Sequence, residues 1–194
     1  MENSGKHTQL ATTRLVEMSV LAGLSYVLMF LSLPIIPIVP YMRLDLADMP
    51  ILLGTVLFGP VGGMTIAGLK ALLYWVTTGA DVINFIGVGS SLISSLVLIW
   101  AYYLGDRFFS FTHGWKKAAL IVLLMAILLT IVMSLTNWLG VIPPYMKLMG
   151  MKLGFPLATV ILSGVVPFNF IKGVVVGGIF ILIKQSFLPR LKLR

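Results

Sequence analysis

VVPFNFIKGVVVGGIFILI, residues 165–183, decides the fold. A run this long and this apolar is what a helix needs to cross a bilayer, about 20 residues rising 1.5 Å each. Yet Asn169 and Lys172 sit near its middle. The next cation, Lys184, follows roughly 18 Å further along the helix, so the Lys172 ammonium is too deep to snorkel to the interface. A charge there costs about 2.5–3.5 kcal/mol on insertion scales and belongs against protein or a watered cavity. Asn169 lies one turn away on the same face by i, i+3 spacing. Pro167 removes a helical hydrogen bond and leaves the carbonyl of Ser163 free to bind something else. Carbonyl, amide and ammonium thus converge on one cavity. A second reading stays open, in which Lys172 pairs with a buried carboxylate such as Asp45 or Asp48 merely to hold helices together. It weighs more for Lys70, which lies at similar depth.

The rest of the chain resembles this stretch. Of its 194 residues 59% are hydrophobic and 10% charged, with a mean hydropathy of +1.05, too little polar surface to wrap a water-soluble core. Apolar segments cover about 13–33, 46–58, 60–76, 82–107, 115–138 and 157–183. The expected fold is an all-α membrane protein, a six-transmembrane-helix bundle with a short second helix. That helix spans roughly 20 Å, less than the hydrocarbon thickness. It meets the third through Phe58-Gly59-Pro60-Val61-Gly62-Gly63, a tight uncharged turn in which Pro60 starts a helix. A polar segment 1–12, a single membrane domain 13–188 and a basic tail 189–194 complete the organisation. No small-residue cleavage site follows a short apolar core, so the first helix is expected to stay attached.

Lys and Arg in the connections orient the bundle. With a cytoplasmic N-terminus, the inside carries nine (Lys6, Arg14, Arg107, Lys116, Lys117, Lys184, Arg190, Lys192, Arg194) and the outside three (Arg43, Lys147, Lys152). Both termini are then cytoplasmic, as six crossings require. The net charge of +8 sits at segment ends and not on an aromatic-interleaved patch, which argues against nucleic acid. Three outer connections remain. LPIIPIVPYMRLDLADMP, 33–50, carries Pro34, Pro37, Pro40 and Pro50, which stiffen an ordered lid or wall. TTGADVINF, 77–85, brings Asp81 and Asn84, and the connection 136–156 brings Asn137, Trp138, Tyr145 and several methionines. Aromatic, Met and amide groups at one mouth suit a flat, partly polar small molecule; an interfacial aromatic belt accounts equally well for Trp138 and Tyr145.

Enzyme chemistry has little to stand on. Cysteine is absent, which removes disulfides, thiolate metal sites and thiol nucleophiles. The histidines are His7 and His113, both in polar stretches, so neither a metalloprotease site nor a serine–histidine dyad is expected inside the membrane. GVGSSL from Gly87 lies in a membrane helix and lacks the strand and lysine of a phosphate loop. There is no ATPase motif, so active transport requires partners.

LDLADMP from Leu44, LFGPVGG from Leu57, INF from Ile83 and VVPFNFIKG from Val165 resemble, in order along nearly the whole chain, the S component of energy-coupling factor (ECF) vitamin transporters, specifically the riboflavin-specific member. That resemblance implies a six-helix bundle in a bacterial cell membrane, with an outward pocket for riboflavin as transported ligand and no cofactor. It also implies a complex with a transmembrane T protein and two cytoplasmic ATPases, which topple the S component to release the vitamin inward. Asn169 and Lys172 resemble the family's helix-six residues that meet the isoalloxazine ring, and Asn84 and Asn137 its amides from other outer helix ends. The pyrimidine edge of a flavin alternates carbonyl acceptors with an N–H donor, which amides and a lysine match. Met42, Leu44, Leu46, Met49 and Tyr41 are expected to wall the dimethylbenzene end, Asp45 or Asp48 to meet the ribityl hydroxyls, and Tyr145 to complete the site. Two departures stand out. Lys70 is followed by Ala71 where the family often has a polar residue. Ser19 and Gly23 stand where it has an alanine-x3-alanine surface for the T protein; both are small, so close helix contact is retained. An S component for another vitamin, a stand-alone facilitator and a ligand-free structural subunit are the other readings.

Overall fold

Apolar runs with no water to bond their backbone must satisfy it internally, and helices do so. The computed structural model describes residues 2–150 and 152–187, with side chains from 12 to 150 and 152 to 186. The Lys6 side chain and the tail 189–194, with Arg190, Lys192 and Arg194, lie outside the described residues. Helix α1 is Glu2–Phe30, α2 Asp48–Thr78, α3 Val82–Phe108 and α4 Gly114–Thr136. A π-helical turn at Asn137–Val141 leads into α5, Ile142–Met149. The short α6, Leu157–Val160, passes through a second π-helical turn, Ile161–Val165, into α7, Val166–Phe187.

Five continuous stretches among the described residues are long and apolar enough to cross a membrane, against six expected segments. The difference lies in α2, which merges the second and third segments across a break at Gly59, φ 80° and ψ 177°. Glycine alone takes that backbone without strain. The break is a reversal. A Cβ at Gly54 would collide with Ile66, and one at Gly63 would collide with Thr55 and touch the Ile51 carbonyl at 3.4 Å, although residues twelve apart in a straight helix sit roughly 18 Å from each other. Two antiparallel limbs result within the one helix α2.

Two further expectations change at the ends. Pro50 is in the first turn of α2 and not in the connection before it, a position where its missing N–H leaves no helical bond unmade. After Thr136 the helical path continues where a loop is expected. Pro143 and Pro144 have no N–H to give, and the widening at 137–141 precedes them, so they enter the first turn of α5. In the connection 31–47, β1 (Leu33–Pro34) pairs antiparallel with β2 (Arg43–Leu44), and Arg43 Nη2 donates to the Ser32 carbonyl at 3.0 Å.

Helix α4 packs along α3 and α7, while α2 packs on α1 and α3. At Gly173 a Cβ would run into the Ala126 backbone, so α7 and α4 meet at close range, the mode that packing in lipid favours. One apolar cluster joins Leu52, Leu98, Met125, Leu129 and Phe180. Another, with Val39, Met42, Ile142, Val165 and Phe168, ties the 31–47 connection to α5 and the start of α7. This second cluster makes the connection a fixed wall. Large apolar side chains such as Leu15, Val20, Leu72, Leu135 and Leu182 remain exposed around the bundle, as a lipid-facing surface requires.

Candidate functional site

At the end of the bundle where α1, α2 and α4 finish and α3 begins lies a cavity of about 340 Å³, within the roughly 300–1,000 Å³ usual for small-molecule sites. Asn84, Asn137, Asn169 and Lys172 all line it, together with Asp45 and Tyr145. Asn84 enters from the first turn of α3, whose N-cap is Asp81; the Asp81 carboxylate accepts from the Asn84 backbone N–H at 2.8 Å and from its Nδ2 at 2.7 Å. Asn84 Nδ2 also donates to the Thr78 carbonyl at 2.8 Å. Asn137 opens one π-helical turn, and its Nδ2 donates to the Met133 carbonyl at 2.8 Å. Asn169 follows the other, and its Nδ2 donates to the Val165 carbonyl at 2.9 Å. Asn84 spends both amide N–H groups on the protein, Asn137 and Asn169 one each, and all three keep Oδ1 as an acceptor. Widened helical turns of this kind recur at functional sites.

Lys172 supplies the opposite polarity. Its Nζ lies 3.1 Å from Asp48 Oδ2 and 4.0 Å from Asp45 Oδ2. Asp48 is 2% exposed and does not line the cavity. Its Oδ1 accepts from Ser95 Oγ at 2.5 Å and faces Lys70 Nζ at 4.0 Å. Lys70, 1% exposed, donates to Ser91 at 3.3 Å and Ser95 at 3.2 Å. Two carboxylates and two ammonium groups therefore balance beneath the cavity, and only Lys172 and Asp45 open onto it. The two readings of Lys172 are both present in the geometry: it is ion-paired and it faces the cavity. Lys70 is enclosed.

The apolar residues divide. Met42 and Tyr41 line the cavity, whereas Leu44, Leu46 and Met49 do not. Leu44 packs on the cluster under the 31–47 connection, Met49 on the α3–α4–α7 cluster, and Leu46 is exposed. Met42, Arg43 and Asp45 line the cavity while Leu44 and Leu46, which alternate with Arg43 and Asp45, do not, and Met49 has already entered α2. Ser163 is exposed and off the cavity; the carbonyl put to use is that of Val165. Trp138 is 43% exposed and off the cavity, in keeping with an interfacial position. The Tyr145 ring meets Tyr41 edge to face at 6.4 Å, and burial pushes the Tyr41 phenol up to about 12, which keeps it a neutral donor. Ser19 is exposed and donates to the Leu15 carbonyl at 2.8 Å, and nothing lies within 4 Å of a Cβ built on Gly23.

Cavity residues that sequence reasoning missed include Met29, Tyr74, Ser90, Ser91, Ser94 and Met133. The α3 group had a signal. Counting from Asn84, positions 87, 88, 91 and 94 fall on the same helical face. No group of three or more His, Cys, Asp or Glu side chains suited to a metal occurs among the described residues.

The model of the ECF transporter substrate-specific component family matches residues 13–184. The chain is 33% identical over 186 residues to the riboflavin transporter RibU of Staphylococcus aureus (strain TCH60), covering 92% of this chain and 93% of that protein. It is 28% identical over 179 residues to the riboflavin transporter FmnP of Bacillus subtilis (strain 168), covering 91% and 92%. Among solved structures, an S component of a bacterial ECF transporter superposes with a TM-score of 0.75 at 30% identity, over 94% of this chain and 99% of that one.

Proposed function

The chain belongs to the family of ECF transporter substrate-specific components, transporter subunits and not enzymes, and from that premise we propose that it captures riboflavin in the cavity at the mouth of the bundle. The observation that carries this reading is the convergence of Asn84, Asn137, Asn169 and Lys172, from three different helical segments, on one cavity. Amide oxygens accept the ring N–H, and the ammonium donates to the ring carbonyls. Relatives named as riboflavin transporters over more than nine-tenths of the chain support the same ligand.

In this reading the two limbs of α2 count as separate crossings, the bundle has six, and both termini are cytoplasmic. The 31–47 connection, Tyr41 and Tyr145 form the outer wall. A T protein and two ATPases supply the work of toppling, and Ser19 and Gly23 on the open face of α1 offer the T protein a close approach.

Titration of purified protein with riboflavin, read by quenching of flavin fluorescence, tests the assignment. Saturable quenching at micromolar protein or below is expected. A folded sample that shows no saturable quenching overturns it.

A further inference from the structure

A hydroxyl on a membrane helix ordinarily returns its proton to the carbonyl one turn earlier. Ser19, Thr55, Thr65, Thr130 and Thr136 all do so here, at 2.7–3.0 Å. Ser94 does not. Its Oγ is buried without a hydrogen-bond partner among the described residues, the residue is 3% exposed, and it lines the cavity. Ser134 shares the unpartnered state but lies away from the cavity. Ser91, one turn nearer the mouth, has an Oγ that already accepts from Lys70, which leaves its own proton to be donated. The hydroxyl of Tyr41, which also lines the cavity, is likewise buried and unpartnered. Asp48 Oδ2 also lacks a hydrogen bond, but it is ion-paired with Lys172 at 3.1 Å and Asp48 does not line the cavity.

The cavity faces thus differ in chemistry. Asn137, Asn169 and Lys172 bring amides and one ammonium from the 137–141 turn and α7. Beyond Asn84 in its first turn, α3 brings the hydroxyls of Ser91 and Ser94, which can donate as well as accept, and so match a chain of hydroxyls whichever way its protons run. We propose that Ser94 and Ser91 form a polyol subsite that receives the ribityl chain of the ligand, with Ser94 as its specificity-determining residue. This rests on the flavin reading of the cavity and extends it by assigning the second half of the ligand.

The test compares riboflavin with lumiflavin, which has the same ring and no polyol chain, in wild-type protein and Ser94→Ala. Wild type is expected to bind riboflavin more tightly than lumiflavin. Ser94→Ala should lose about three- to tenfold in riboflavin affinity, the worth of one net hydrogen bond, and leave lumiflavin affinity unchanged. Without ligand, Ser94→Ala should melt no lower than wild type, because the removed hydroxyl bonds nothing in the protein. Ser91→Ala repeats the comparison one turn away and should show the same selectivity. Equal loss for both flavins, no loss for either, or a lowered melting temperature of the ligand-free variant overturns the subsite while leaving the flavin pocket standing. Wild-type protein that binds neither flavin overturns both.

Discussion

An ammonium group at the depth of Lys172 is tolerable because Asp48 and Asp45 face it at 3.1 and 4.0 Å. Removing it therefore changes two things, the donor proposed for the ligand and a counter-charge to Asp48. Lys70 and Ser95 still hold Asp48, so Lys172→Met is expected to fold and to lose at least about tenfold in riboflavin affinity, a charged hydrogen bond being worth about 1.5–3 kcal/mol. Flavin titration beside a melting curve checks this. Unfolding with undiminished binding in the folded fraction would leave Lys172 a purely structural role. Asp48→Asn goes the other way: breaking a buried pair from one side costs about 3–5 kcal/mol, and it leaves Lys70 and Lys172 sharing only Asp45. The melting temperature should fall further than for Lys172→Met, and Lys70→Met in the same chain should recover part of the loss by restoring charge balance. At this scale sequence reasoning went far. The depth of Lys172 and the i, i+3 spacing to Asn169 need only helical geometry, and Asp45 and Asp48 are the carboxylates named for it in the second reading. Which carboxylate is nearer, and that Lys70 stays enclosed, depends on how α2 and α7 are set against each other.

Among the elements, α2 carries the sharpest constraint. Nothing lies within 4 Å of a Cβ built on Gly59, yet its φ is +80°, so any substitution there costs through the backbone alone, about 1–3 kcal/mol. Gly68, also in α2, is equally open at its Cβ and has no such φ; an alanine there should stabilise by about 0.5–1 kcal/mol. The melting temperatures of Gly59→Ala and Gly68→Ala should therefore move in opposite directions from wild type. A fall in both would mean that packing, not backbone conformation, decides these positions. FGPVGG marks the reversal in the sequence because glycine and proline act locally. The two π-helical turns left no such mark. They arise where Asn137 and Asn169 turn toward a shared cavity and where Pro143 and Pro144 must be accommodated, and the residues that demand the widening come from several parts of the chain.

For the whole molecule, the cavity and the cluster of Lys184, Lys117 and Asp106 lie at opposite ends. The excess of Lys and Arg at the second end predicts that it faces the cytoplasm. The absence of cysteine makes this simple to check. A membrane-impermeant maleimide on intact cells should label Lys152→Cys and spare His113→Cys until the membrane is opened; the reverse pattern would invert the bundle. Composition and apolar runs by themselves determined that this is a helical membrane protein, where its chain reverses, and that a polar pair in its last helix needs a cavity or a partner. Those are local statements, set by the length of a run, the φ a residue tolerates or the cost of a charge in hydrocarbon. Only the tertiary structure decided that the α3 hydroxyls share a cavity with the amides, that Leu44, Leu46 and Met49 pack elsewhere, and that one aspartate holds two lysines. Those depend on the rotation of each helix about its axis, which is settled by contacts between residues far apart in the chain.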